Sequence, residues 1–207
     1  MIVEPITEMM IDRVAILFQQ AFADDPGMRY ICQHEQKGYE KRLLAWFLAL
    51  LRMQVANQQP ILGICEAGDY VACITLTLPQ TKLKMMSLIG WVWSVLSQVG
   101  FIGLWRTMGH VGRISRYQPK TPHYRLEFIA VHPNHQGKGY GRVMLDAMHD
   151  IAKSDIHAMG VWLETTNPAN VGLYEHVGYV VESRFMMADD VEAITMFRKR
   201  VEINYHP

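Results

Sequence analysis

The sequence predicts a mixed α/β (α+β) fold, with a mixed, mostly antiparallel central sheet flanked by helices in one domain over residues 1–207. Three observations lead there. Segments with apolar residues at three- and four-residue steps alternate with short β-branched runs. A strand, a glycine-rich loop and a helix follow one another between His123 and Ala152. Of the 207 residues 50% are hydrophobic and 19% charged, a balance that buries a core and lacks the signature of disorder. Lys plus Arg number 20 against 20 Asp plus Glu, so no global field holds a polyanion and no nucleic-acid partner is expected.

From the start of the chain, Thr7 is placed to cap a helix carrying Ile11, Val14, Leu17, Phe18, Ala21 and Phe22, which stops before Asp24-Asp25-Pro26. A second helix runs from about Tyr39 to Ala56 and ends before Asn57-Gln58-Gln59-Pro60. Ile61 to Glu66 and Tyr70 to Leu78, joined by Ala67-Gly68-Asp69, read as a hairpin. After it, Met85 to Trp105 contains no charged residue, and about 20 apolar residues would span a bilayer. Four serine or glutamine positions, three glycines and strands of one sheet on either side argue instead for one or two packed helices, a long apolar helical segment at about 83–120. No membrane span is expected. Trp91, Trp93 and Trp105, followed by Arg106, Arg113 and Arg116, suit a peripheral membrane contact, a lipophilic substrate or a subunit contact such as a homodimer. His123 to Val131 then reads as a strand. Gly139 to Ala152 is a helix facing inward through Val143, Leu145, Met148 and Ile151, Gly160 to Thr166 a strand and Ala169 to Val177 a short helix. Val180 to Met187 and Ala193 to Val201 close the chain as two strands.

Cys32, Cys65 and Cys73 are too few and too scattered for a disulfide framework or a zinc ribbon, and Glu4 and Glu8 stand where a signal peptide carries basic residues. A cytoplasmic setting is expected. His132 and His135 have no nearby carboxylate or thiol set, so no metal is expected.

The strongest chemical signal is Gln136-Gly137-Lys138-Gly139-Tyr140-Gly141, where a strand ends and a helix begins. Amides at a helix N-terminus lack internal acceptors and lie at the positive end of the helix dipole, which suits phosphate oxygens. Two nucleotide fingerprints are excluded. A dinucleotide motif needs glycine where Arg142 stands, and no Gly-Lys here is followed by Ser or Thr.

This block, with Val131-His132-Pro133 before it and Leu163-Glu164-Thr165-Thr166-Asn167-Pro168-Ala169-Asn170-Val171 through Tyr174 to Gly178-Tyr179 after it, resembles the GNAT superfamily of N-acetyltransferases. The wording of the last block is most similar to puromycin-acetyltransferase-like small-molecule enzymes. The resemblance covers about Ile61 to Val201 and implies a sheet splayed between two central strands, with acetyl-CoA in the cleft. It implies that Gln136, Gly137, Lys138, Gly139, Tyr140 and Gly141 line the pyrophosphate through backbone amides. Ile129, Ala130 and Val131 would meet the pantetheine arm, Asn170 would touch the coenzyme, and Tyr174 would protonate the departing thiolate. Acetyl-CoA is thus the expected cosubstrate, used by direct transfer in a ternary complex without a metal.

A primary amine of pKa near 10 is only about one part in a thousand neutral at pH 7, a handicap of roughly 4 kcal/mol, so a base is needed. Glu127 is the leading candidate, on the expectation that it shares a strand face with Ile129 and Val131 unless a bulge changes the facing. Glu164, at the end of the neighbouring strand, and His123 are the reserves. The expected acceptor is a small-molecule amine; a peptide or protein amine is the alternative, as is a noncatalytic acyl-CoA sensor. A membrane-peripheral interaction protein is a third class.

Overall fold

A computed structural model describes residues 1–200; Val201, the end of the last expected strand, lies outside them. Seven strands form one sheet: β1 (Glu4–Pro5), β2 (Ile61–Glu66), β3 (Asp69–Thr77), β4 (Tyr124–Val131), β5 (Gly160–Thr165), β6 (Val180–Ala188) and β7 (Val191–Lys199). Their order across the sheet is β1-β2-β3-β4-β5-β7-β6, with every pair antiparallel except β4–β5.

Period-two alternation divides the core between the two faces. Trp162 of β5 packs with α1 (Ile11–Ala21) and α3 (Tyr39–Ala56), while its neighbours Val161 and Leu163 pack with α6 (Tyr140–Ser154). On the first face Phe18, Phe22, Phe47 and Phe128 form an aromatic cluster with ring centroids 5.2–6.3 Å apart. On the second, Met144, Leu145 and Met148 are fully buried, and the inward-facing Val143 and Ile151 pack against them partly buried.

Two local expectations change. Thr7 starts a single 3₁₀ turn (Glu8–Met10) rather than α1, and its side chain makes no cap bond. The Asp24-Asp25-Pro26 stop signal also starts a helix, α2 (Pro26–Ile31): Asp25 accepts from the Met28 amide and Pro26 takes a position where an N–H is not needed.

The apolar stretch forms two helices, α4 (Met85–Gln98) and α5 (Phe101–Ile114), broken at Gly100 with φ 96°. Each has 14 residues, about 21 Å of helix against the roughly 30 Å of a bilayer core. Among the described residues no helix is long and apolar enough to cross a membrane. Trp91 and Val95 anchor α4 on α3, and Trp46 of α3 donates to Thr107 of α5 at 3.2 Å.

Candidate active site

Two irregularities in β4 create the site. The parallel pairing of β4 with β5 covers Tyr124↔Val161, Arg125↔Trp162 and Leu126↔Leu163 and then ceases among the described residues. From Phe128 to Val131 the strand remains paired with β3 but has an open second edge among the described residues. The other irregularity is a bulge: Thr75 faces Phe128 and Leu76 faces Leu126, so Glu127 is an extra residue on β4. The bulge overturns the expected facing of Glu127. Ile129 and Val131 pack on the α6 side, whereas Glu127 joins Arg125, whose guanidinium lies over Trp162 on the α1/α3 side. Phe128 follows Glu127 onto that same side.

At the end of β4 the chain enters the glycine loop. Gly137 and Gly139 have φ of 73° and 88°, values that side-chain-bearing residues rarely adopt, and a Cβ at either would have no atom of the described residues within 4 Å. The loop is therefore left-handed and open above its backbone. No side chain caps α6, and the amides of Gly137 to Arg142 have no acceptor among the described residues. This cradle fits the pyrophosphate of a nucleotide-bearing thioester: a row of free donors at the positive end of a 15-residue helix. Gln136 departs from the expectation, because its own amide donates to Pro133 and its side chain to the Val131 carbonyl, both at 3.3 Å. It braces the loop. Tyr140 buries its ring in the α6-side core and offers only backbone, while Lys138 is exposed.

Beside the splay lies a cavity of about 500 Å³ lined by Phe22 after α1 and by residues of α2 to α5, β3 to β6 and α7 (Val171–His176). Glu127, Asn170, Tyr174 and the reserve base Glu164 all reach it, as does the flank of Ile129. Asn170 makes no side-chain cap bond, the 3₁₀ turn before α7 being capped by Asn167, so its amide is uncommitted among the described residues. Tyr174 is buried, its ring edge-on to Tyr179 at 5.7 Å, and its hydroxyl has no hydrogen-bond partner among the described residues. Burial, with Asp25 nearby, raises its pKa well above the ordinary tyrosine value.

The carboxylates differ in their partners. Both Glu127 oxygens are engaged, Oε1 accepting from the Thr77 hydroxyl at 2.6 Å and Oε2 facing Arg125 Nε at 3.1 Å. Glu164 Oε2 lies 3.0 Å from His110 Nε2, leaving Glu164 Oε1 and His110 Nδ1 buried without partners among the described residues. Asp25 accepts from Met28 N at 2.9 Å and from the Thr166 hydroxyl at 3.2 Å; burial raises its pKa. His123 does not line the cavity. Its Nδ1 bonds the Thr121 carbonyl at 2.7 Å and its Nε2 pairs with Gln118 at 3.1 Å, and burial lowers its pKa. Asp25 and His110 are the site residues that sequence reasoning missed. Asp25 was visible as a helix signal, while nothing in α5 singles out His110.

Residues 17–179 match the acetyltransferase (GNAT) family, and the chain belongs to it. Among related sequences, it is 39% identical over 57 residues to the L-amino acid N-acyltransferase MnaT of Escherichia coli, covering 27% of this chain and 33% of that protein. It is 22% identical over 204 residues to an N-acetyltransferase of Schizosaccharomyces pombe, covering 89% of this chain and 76% of that protein. Among solved structures, a Corynebacterium glutamicum protein described as histone acetyltransferase HPA2 and related acetyltransferase superposes with TM-score 0.72 at 22% identity, covering 98% of this chain and 97% of that one. The ribosomal-protein-alanine N-acetyltransferase of Brucella melitensis superposes with TM-score 0.56 at 13% identity, covering 96% and 99%. These structural likenesses establish the fold. Acetyl transfer is the chemistry of the family; the chain spans a third of the length of its E. coli relative, so that protein's acceptor does not carry over.

Proposed function

We propose that this protein transfers an acetyl group from acetyl-CoA directly to the primary amine of a small molecule with an apolar body. The observation that carries this reading is the opening of β4 from β5 between a row of unpartnered loop amides and a carboxylate-lined cavity. The loop amides hold the pyrophosphate, and the free edge of β4 offers main-chain groups to the pantetheine arm and to the charge that develops on the thioester oxygen. Asn170 adds a side-chain amide. The bond from carbonyl carbon to sulfur breaks as the bond from nitrogen to that carbon forms; the amine loses its proton to a carboxylate, and Tyr174 supplies one to the departing sulfur. A tyrosine kept protonated by burial suits that donor role. No cysteine lines the cavity among the described residues, and burial pushes the Cys32 thiol up to about 12, which supports direct transfer over an acyl-enzyme.

Charge and lining support the choice of acceptor. Asp25, Glu127 and Glu164 face a cavity in which Arg125, the one arginine or lysine lining it among the described residues, is already paired with Glu127; an ammonium is drawn in, and a substrate carboxylate finds no free arginine or lysine among those residues. Trp46, Trp91 and Phe128 supply apolar wall. The Leu163–Val171 wording, similar to puromycin-acetyltransferase-like enzymes, supports a small molecule over a protein. Unbridged Cys32, Cys65 and Cys73 support a cytoplasmic setting.

Glu127 is the proposed base. A second reading is favoured by one observation: both Glu127 oxygens are occupied, whereas the His110–Glu164 pair keeps one unpartnered atom on each residue. Profiles of kcat/KM against pH separate the two. Glu127→Gln is expected to lower the rate about a hundredfold at neutral pH and to recover as rising pH deprotonates the amine, with His110→Asn within a few-fold of the parent. The reverse pattern moves the role to His110. With 2-phenylethylamine and phenylalanine as paired acceptors, the carboxylate-free amine is expected to react faster. Tyr174→Phe should lower kcat about a hundredfold with KM for acetyl-CoA little changed. Acetyl-CoA binding without transfer to any small amine or peptide would establish the noncatalytic sensor instead.

A further inference from the structure

The segment that contributes α4 and α5 has an extreme charge pattern in an otherwise balanced chain. From Tyr70 to Leu126 there is no Asp or Glu, yet the stretch carries Lys82, Lys84, Arg106, Arg113, Arg116, Lys120 and Arg125. Arg125 pairs with Glu127; among the described residues none of the other six has an acidic partner. Where they bond, they bond to neutral carbonyls, Lys84 to Ala56, Arg106 to Tyr30 and Arg113 to Met186 and Met187. Their charge therefore stays uncancelled.

The same helices carry apolar stripes on the sides turned away from the core. While Trp91 and Val95 of α4 are buried, Met86, Ile89, Trp93 and Leu96 recur at three- and four-residue steps in the open. In α5, Gly103 and Thr107 are buried while Phe101, Trp105 and Met108 are out; Trp93 and Trp105 are both 71% exposed. Isolated surface apolar residues are ordinary, but two adjacent helices each with a continuous outer stripe make an unpartnered face. That face is continuous with the cavity, because Met108 and Val111 are exposed on it and also line the cavity.

We propose that the α4–α5 face docks in the plane of an anionic lipid surface, its exposed Trp93, Trp105 and methionines entering the headgroup boundary and Lys82, Arg116 and Lys120, whose side chains make no bond among the described residues, meeting lipid phosphates. Aromatic and aliphatic side chains flanked by cations, with acids excluded, are the composition that such a surface selects. A second copy fits poorly. A twofold interface presents the same patch from both sides, and here it would set cations against cations with no acid in the segment to relieve them. Docked this way, the cavity margin formed by Met108 and Val111 lies at the membrane, which gives an amine partitioned into lipid a short path to the site.

Flotation of the purified full chain with phosphatidylcholine vesicles, and with vesicles containing about one third phosphatidylglycerol, tests the proposal. The chain is expected to float with the anionic vesicles, less with the neutral ones, and to release as salt is raised. The double variants Trp93→Ser/Trp105→Ser and Arg116→Glu/Lys120→Glu should each weaken association about tenfold. Both pairs lie outside the coenzyme cradle, so unchanged acetyl-CoA affinity by calorimetry identifies a folded variant. Absence of flotation by the parent chain, or flotation indifferent to both lipid charge and the tryptophan pair, overturns the proposal. So does a lipid-free dimer in analytical ultracentrifugation that the tryptophan pair dissociates without any vesicle binding, which gives the face to a second copy.

Discussion

The two sides of the cleft are made of different material. On the α6 side the groups turned toward a ligand are backbone amides, fixed by two left-handed glycines and by a helix whose first-turn amides have no acceptors among the described residues. On the α4–α5 side they are side chains, Trp91, Met108 and His110 among them, held by packing between helices distant in sequence. A backbone cradle is specified by a few residues in a row and tolerates almost no variation in them. A side-chain cavity is specified by many positions, each of which can change alone. The first half can thus serve a fixed cosubstrate while the second is free to follow the acceptor.

The largest effect that tests this division is Gly139→Glu. No atom of the described residues lies within 4 Å of a Cβ at this position, so the substitution meets no wall there; it strains a φ of 88° by about 1–2 kcal/mol and sets a carboxylate among the amides proposed to hold phosphate. Acetyl-CoA affinity is expected to fall about a hundredfold or more in calorimetry, with a modest loss in thermal stability. Retained affinity in the variant would show that the loop amides are not the cradle and that the comparison has misassigned the coenzyme half.

A smaller effect belongs to the other half. Trp46 Nε1 donates at 3.2 Å to the Thr107 hydroxyl, which donates in turn at 2.8 Å to the Gly103 carbonyl, tying α3 to α5 inside the core. Thr107→Val keeps the shape but strands a buried indole N–H, at a cost of about 1–3 kcal/mol. The melting temperature should fall and KM for the amine rise, while the dissociation constant for acetyl-CoA stays within about twofold, since additivity holds between distant sites. Equal losses in both affinities would erase the distinction between the halves.

The same difference explains what the sequence made legible. The hairpin of β2 and β3, helix α3 and the glycine loop are each defined by residues close together in the chain, and their periodicity and turn chemistry sufficed to place them. The bulge at Glu127 is a matter of register between strands some fifty positions apart, so counting residues along β4 alone put Glu127 on the wrong face. The pairing of His110 with Glu164 is equally non-local, since it depends on how α5 lies across the end of β5. Asp25 was visible in the sequence but ambiguous, because an Asp-Pro pair both stops one helix and starts the next. In the apolar stretch, composition alone allowed a membrane span; the left-handed break at Gly100 divides it into two helices too short for one.

The smallest effect concerns the back of the coenzyme half and appears as a slope. His149 of α6 is buried, its Nε2 3.1 Å from the Tyr179 hydroxyl, and Tyr179 packs edge-on against Tyr174. Burial, reinforced by the Arg198 charge, lowers its pKa from 6.5 to about 4. Between those values the unfolded chain takes up a proton that the folded chain refuses, so this group leaves stability at its full value above pH 6.5 and removes it progressively as pH falls to about 4. His149→Gln retains a polar partner for Tyr179 without a titrating ring, and the melting temperature of the variant should therefore decline less steeply across that window. An unchanged slope would mean that the imidazole gains its proton without disturbing Tyr179. The α6 half would then be more yielding around Tyr174 than its backbone cradle implies, and the contrast with the α4–α5 half would rest on the loop alone.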